Sequence, residues 1–370
     1  MDFARLANPG IRGLDPYDPG HDLVALRRKL APRVAIELGA NENNHGASPR
    51  ARQAVRDALD TLHVYPDPRG GQLKQALARH HGVDPDGILL GNGSHELLMQ
   101  VAQVFAGPDA GVLASEKSFA VFALAARAAA APLALAPAFP ALAPMPHGHD
   151  LRALAAAIDG CTRLVYLANP NNPTGTWYCA ADFADFMRRI PPHVLVLVDE
   201  AYAEFVDAPD WASAIPLLDE FPNLLVTRTF SKAHGLAGLR VGCLLAHREC
   251  IAVMERVRES FNVNALGLAA AEAALGDAGH LRRCVDENNR QREALTVALR
   301  ERGVGVAPSQ TNFVLADVGA DCARIEARLL AQGVVLRPMV GYGLPRCLRM
   351  TVGTAEQNAA LLAALDRVLT

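Results

Sequence analysis

Lysine is scarce in this 370-residue sequence. Lys and Arg together number 36, yet the only lysines are Lys29, Lys74, Lys117 and Lys232. A general bias toward arginine would explain the pattern. Against that bias each retained lysine stands out, because arginine stays protonated and cannot act as an amine nucleophile. Long apolar runs are also missing. None reaches the ~20 residues that span a bilayer, and the richest stretch, 120–143, is interrupted by Arg127, Pro132, Pro137 and Pro140. The opening segment MDFARLANPG lacks the basic start and apolar middle of a signal peptide. The seven cysteines form no CxxC pair, and no HExxH occurs. Scattered thiols of this kind suit a reducing compartment better than a disulfide framework or a zinc site. The expectation is therefore a cytoplasmic protein with no metal. A net charge of -3 argues against nucleic acid or an anionic membrane as partner.

The residues that are present suit a globular chain: 51% are hydrophobic and 20% charged, which excludes disorder as the dominant state. Short apolar runs at 88–90, 112–114, 133–135, 164–167, 194–198, 224–227 and 242–245 alternate with segments of helical spacing. That alternation predicts an α/β fold with a mostly parallel sheet covered on both faces. After about residue 270 the pattern changes. Helical stretches are followed by short strands at 304–306, 313–316, 334–337 and 348–352, which predicts a smaller α+β unit. The first 45 or so residues are expected to form an arm with little core of its own.

Several polar clusters fall at the ends of the apolar runs. The segment from Thr229 to Arg240 sets Lys232 in a Gly-rich loop with hydroxyls at Thr229 and Ser231. In open α/β sheets ligands bind at the carboxyl edge of the strands. Asp199 ends a run of five apolar residues, where a carboxylate is costly unless paired. The rigid turn Asn169–Gly175 carries amides that can face a ligand. Gly91–Ser94 leads into a helix whose first N–H groups can cradle a phosphate. Phe119 can stack on a flat ring. Each cluster has an ordinary alternative: a surface lysine, a helix cap, a bare turn, a core aromatic. Together they provide an amine, a carboxylate, hydroxyls, an amide, an aromatic face and an anion cradle at one sheet edge. Pyridoxal phosphate requires that set.

The segments Tyr17–Gly20, Asn41–Asn43, Tyr65–Asp67, Asn169–Gly175, Asp199–Tyr202, Ser231–Arg240, Asn312–Leu315 and Leu348–Gly353 jointly resemble the class I and II aminotransferases of fold type I. Within them they resemble the histidinol-phosphate aminotransferase subfamily. The resemblance runs over nearly the whole chain. It implies a large domain with a mostly parallel seven-stranded sheet beside a smaller α+β domain. The expected division is an arm over 1–45 partly joining the smaller domain, a cofactor-binding domain over 46–265 and a small domain over 266–370. It also implies that Lys232 bonds the cofactor and shuttles the proton, and that Asp199 pairs with the pyridine nitrogen. Asn172 and Tyr202 would bond the phenolic oxygen and Phe119 would stack on the ring. Gly93, Ser94, Thr229, Ser231 and Arg240 would hold the phosphate. Tyr65 would reach into the site of a second subunit, giving a homodimer with shared sites. Arg349 would bind the glutamate carboxylate. Arg337 with Arg349, helped by Tyr17 and Asn312, would bind the phosphate of the substrate.

The implied reaction moves the amino group of L-histidinol phosphate to 2-oxoglutarate. Departures from the family pattern lie at Asn44, His45, His95 and Phe119, and the first two fall on a segment lining the substrate side. Three alternatives remain at this stage. One is an aromatic amino acid aminotransferase. Another is a threonine-phosphate decarboxylase, which the run 199–205 fits less well. The third is a cofactor-binding regulator, for which the length leaves no added DNA-binding domain.

Overall fold

The computed structural model describes residues 1–14, 28 and 35–369; Tyr17 and Lys29 lie outside the described residues. In chain order the strands are β1 (Ile36–Glu37), β2 (Ile88–Gly91), β3 (Gly111–Ser115), β4 (Leu133–Ala136), β5 (Thr162–Ala168), β6 (Leu195–Asp199), β7 (Leu224–Thr229), β8 (Gly242–Ala246), β9 (Gly305–Val306), β10 (Phe313–Asp317), β11 (Val334–Val335), β12 (Arg337–Pro338) and β13 (Cys347–Thr351). Seven of them form one sheet, in the order β2-β8-β7-β6-β5-β3-β4. β4, β3, β5, β6 and β7 are parallel, while β8 runs antiparallel to both of its neighbours. The mostly parallel seven-stranded sheet expected from the sequence is present.

The run Val196-Leu197-Val198 illustrates why uninterrupted apolar strands are stable here. Val196 and Val198 join one buried cluster with Val165, Leu167, Val226 and Leu245. Leu197 points the other way, into a second cluster with Leu164, Tyr166, Leu225 and Leu244. Helices Gly71–His81, Ala180–Arg189 and Ala265–Leu275 cover the first face, and helices Ser94–Phe105, Ala120–Ala128 and Arg248–Met254 cover the second. With no solvent side, alternation of polar and apolar residues has nothing to mark. Burying a side chain of this size contributes about 1.5–3 kcal/mol.

The single antiparallel strand of the parallel set has a consequence for the site. A parallel neighbour would need a crossover helix. Instead the loop 230–241 leaves β7 and enters β8 at one sheet edge, where Thr229 pairs with Gly242. Lys232 therefore stays beside the carboxyl ends of β5, β6 and β7.

The C-terminal strands build a second sheet, antiparallel, in the order β12-β13-β10-β9. Helices Ala278–Glu301, Cys322–Ala331 and Ala355–Leu369 pack on it through Leu295, Leu299, Ile325, Leu329, Leu361 and Leu365. The run read as one strand over 334–337 is two short strands with different partners. β11 pairs with β1 in parallel, whereas β12 pairs with β13. Leu38, just after β1, is wholly buried in this second core. Ala270, Ala271 and Ala274 of helix Ala265–Leu275, which begins at the expected boundary, pack in the core of the large sheet.

Candidate active site

Asp199 ends β6 with its side chain buried, opposite Thr227 of β7 in the strand register. Thr227 Oγ1 donates to Asp199 Oδ1 at 2.8 Å. Burial pushes the carboxyl pKa up to about 6, against the hydrogen bond from Thr227, which favours the ionised form. A cation brought against this carboxylate would restore its charge.

Lys232 Nζ donates to the main-chain oxygen of Asn41 at 3.0 Å and lies 5.7 Å from the centre of the Tyr202 ring. Burial, and then the nearby charge of Arg349, lower its pKa to about 7. A substantial fraction of the amine is thus unprotonated near neutral pH and able to act as a nucleophile or a base. Tyr202 is buried, accepts a hydrogen bond from Asn41 Nδ2 at 3.0 Å, and meets Phe313 edge to face. Burial raises its phenol to about 12, so it remains a donor.

An anion cradle lies beside this pair. Helix Ser94–Phe105 starts at Ser94 with no side chain capping it, which leaves its first N–H groups for another acceptor. Gly93 precedes it with φ 80°, and a Cβ there would stand 2.3 Å from the Arg240 guanidinium. Arg240 Nη1 donates to Ser231 Oγ at 3.1 Å, and Ser231 N donates to Thr229 Oγ1 at 3.1 Å. Arg240 itself has φ 54°, a left-handed conformation uncommon for a residue with a side chain. Two hydroxyls, a guanidinium and a free helix start so face one point.

Ser94, Phe119, Asn172, Asp199, Tyr202, Thr229, Ser231, Lys232, Arg240 and Arg349 all line one cleft of about 180 Å³. Arg349 comes from β13 of the second sheet and spans the gap: its Nη1 donates to Asn172 Oδ1 and its Nη2 to the carbonyl of Gly39, both at 2.7 Å. Arg337 of β12 is the direct partner of Arg349 across the antiparallel pair. Opposed residues share one face with their Cβ atoms about 5 Å apart. Asn312 sits behind the lining, donating to the carbonyls of Asn41 and Glu42, and its buried Oδ1 has no hydrogen-bond partner among the described residues. Tyr65 lies outside the cleft. It is 78% exposed and stacks on Phe261 at 4.5 Å. Of the site residues expected from the sequence, Tyr17 falls outside the described part of the chain.

Sequence reasoning assigned no role to Asn41 or Thr227. Thr227 is recognised only through the strand register, which no local pattern encodes. Asn41 lies in a quoted segment, yet its double contact to Lys232 and Tyr202 depends on the arm folding back. A larger cleft of about 510 Å³ is lined by Phe139, Trp177, Tyr178 and Arg189 among others. It contains no lysine, so the chemistry rather than the volume marks the site.

The family described as "Aminotransferase class I and II" matches residues 33–365. The chain is 46% identical over 369 residues to "Histidinol-phosphate aminotransferase 2" of Methylococcus capsulatus, covering 100% of both. It is 44% identical to the protein of the same name from Pseudomonas fluorescens strain Pf-5, covering 100% of this chain and 98% of that one. Among solved structures, histidinol-phosphate aminotransferase from Sinorhizobium meliloti in complex with pyridoxal-5'-phosphate superposes with a TM-score of 0.88 at 32% identity, covering 98% of this chain and 97% of that one. A match of this extent, on a chain whose amine, carboxylate and anion cradle converge as described, means that the protein belongs to the class I and II aminotransferases.

Proposed function

We propose that this protein is a pyridoxal-phosphate-dependent aminotransferase that moves the amino group of L-histidinol phosphate to 2-oxoglutarate, a step of histidine biosynthesis. The donor set fits the cofactor. The uncapped helix start at Ser94, Thr229, Ser231 and Arg240 suit its phosphate, and Gly93 leaves the space in which Arg240 lies. When bound, pyridoxal phosphate supplies an aldehyde that takes up the amino group and a protonated ring that accepts electron density.

The chain's own residues do the rest. Lys232 would hold the cofactor, and its amine would carry a proton to and from the substrate α-carbon. Asp199 would keep a proton on the ring nitrogen, and that cation would in turn favour the ionised carboxylate. Tyr202 would donate to the phenolic oxygen. Asn172 spends its Oδ1 on Arg349, so its amide NH₂ is left to donate to that same oxygen. Phe119, which lines the cleft, would cover one ring face.

One observation carries the substrate: Arg337 lies directly across from Arg349. A single guanidinium serves a carboxylate, whereas two can fork onto the oxygens of a phosphate ester. The names of the relatives point the same way. Mixing the holoenzyme separately with histidinol phosphate, tyrosine, phenylalanine and threonine phosphate, while following the cofactor spectrum, tests this reading. Conversion fastest with histidinol phosphate is expected; a preference for tyrosine or phenylalanine would replace it with an aromatic amino acid aminotransferase.

The same reading includes a homodimer with shared sites, supported by the exposed Tyr65–Phe261 stack. A cytoplasmic location is supported by seven unpaired cysteines; among the described residues no helix is long and apolar enough to cross a membrane. The same reading divides the chain into an arm, a large domain and a small domain, and the packing of helix Ala265–Leu275 supports counting it with the large domain rather than with the small one expected to begin at 266.

A further inference from the structure

The strands that carry Asp199 and Thr227 toward the cleft carry charge on their other side. Successive strand residues face opposite ways, so Arg228 of β7 and Glu200, next after β6, point away from the cleft. Arg228 Nη1 donates to Glu200 Oε2 at 3.0 Å, and its Nη2 donates to Glu204 Oε1. Glu200 also accepts from Ser213 Oγ at 2.7 Å and from the N–H of Ala214 at 2.6 Å. Its side chain is 1% exposed, and those of Arg228 and Glu204 are 13% exposed. His80 and His81 from helix Gly71–His81, His234 from the lysine loop and Cys243 from β8 complete the surroundings. Burial brings His81 down to about 3 and His234 down to about 4, so both are neutral near pH 7. The guanidinium of Arg228 is the cation that faces both Glu200 and Glu204.

We propose that Arg228 is a positioning residue for Asp199 and Thr229, clamping the carboxyl ends of β6 and β7 from behind the cofactor floor and offsetting the charge of Glu200. The inference rests on the cofactor-binding reading above. Without the guanidinium, Glu200 would be a buried anion adjacent in sequence to Asp199. Like charges disfavour each other's ionised forms, and Asp199 would hold a proton on the ring nitrogen less firmly. Thr229, next to Arg228 at the end of β7, would share in any loosening of that strand end. A forked guanidinium can bridge two carboxylates; an ammonium at the same place offers a single point of charge.

The test compares Arg228→Met and Arg228→Lys with wild type, reading cofactor dissociation constant, thermal midpoint of the apo-protein and pH dependence of the holoenzyme spectrum. Arg228→Met should weaken cofactor binding about ten- to hundredfold, the scale of lost hydrogen bonds between charged groups. Arg228→Lys should recover part of that loss, and in both variants the spectral transition should shift in pH. If Arg228→Met does not fold, Arg228→Lys carries the test. Wild-type affinity and spectrum in folded Arg228→Lys would overturn the clamp alone. A fall in thermal midpoint with cofactor binding unchanged would overturn it as well. Wild-type protein that takes up no cofactor would overturn the cofactor reading together with the clamp.

Discussion

The amine of Lys232 reaches the main-chain oxygen of Asn41 at 3.0 Å, and the side chain of Asn41 in turn bonds Tyr202. Asn41 is three residues past Leu38, which is buried in the core of the second sheet, and its N–H donates to Thr351 of β13. The nucleophile of the large sheet is thus held by a segment anchored in the smaller one. Any shift between the two sheets is felt at the amine.

The lowered pKa of Lys232 has a direct kinetic reading. Below about 7 the amine is protonated and cannot attack the cofactor aldehyde; above it the neutral form is present. The rate at which apo-protein captures pyridoxal phosphate should rise through that pH and then level, as followed by stopped-flow absorbance. A rise delayed to the ordinary lysine range would contradict the role of burial. Borohydride reduction and peptide mapping should place the adduct on Lys232, and Lys232→Arg should lose turnover, since a guanidinium does not form the bond. An adduct on Lys117 would overturn the layout of the site.

Asp199→Asn should fold and bind cofactor but lose most transamination, because an amide cannot hold the ring nitrogen protonated. Thr227→Val removes one hydrogen bond to that carboxylate. It should lower kcat by about tenfold, in line with loss of a bond to a charged group. Near wild-type turnover in Asp199→Asn would exclude the assigned role.

Tyr65 is exposed in the single chain and far from filling its own cleft. Lys232→Ala and Tyr65→Ala subunits, each inactive alone, should regain about a quarter of full activity when mixed, because half of randomly paired dimers contain one intact site. Verified mixed dimers with no recovery would mean that Tyr65 serves its own subunit.

Arg337→Ala should cost roughly 2–3 kcal/mol in kcat/KM with histidinol phosphate, the scale of a lost charge-assisted hydrogen bond. The loss with glutamate should be much smaller, since Arg349 remains. Equal losses for both donors would remove the case for a phosphorylated substrate.

Much of this protein was legible in the sequence because the signals are local. Apolar runs such as 194–198 mark strands buried on both faces, and Lys232, Asp199 and Gly93 sit at strand ends with distinctive neighbours. The rarity of lysine alone makes position 232 stand out in the sequence. Other relationships depend on which residues meet across the chain. That Thr227 supports Asp199, and that Arg337 opposes Arg349, follows from strand register, which shifts every facing pair if it slips by one residue. The split of 334–337 between two sheets arises because β1 offers β11 a partner from the distant N-terminal segment. The lowered pKa of Lys232 is likewise a product of tertiary structure: its two largest causes are burial and the arrival of Arg349 from the second sheet, and neither is written in the loop that carries the amine.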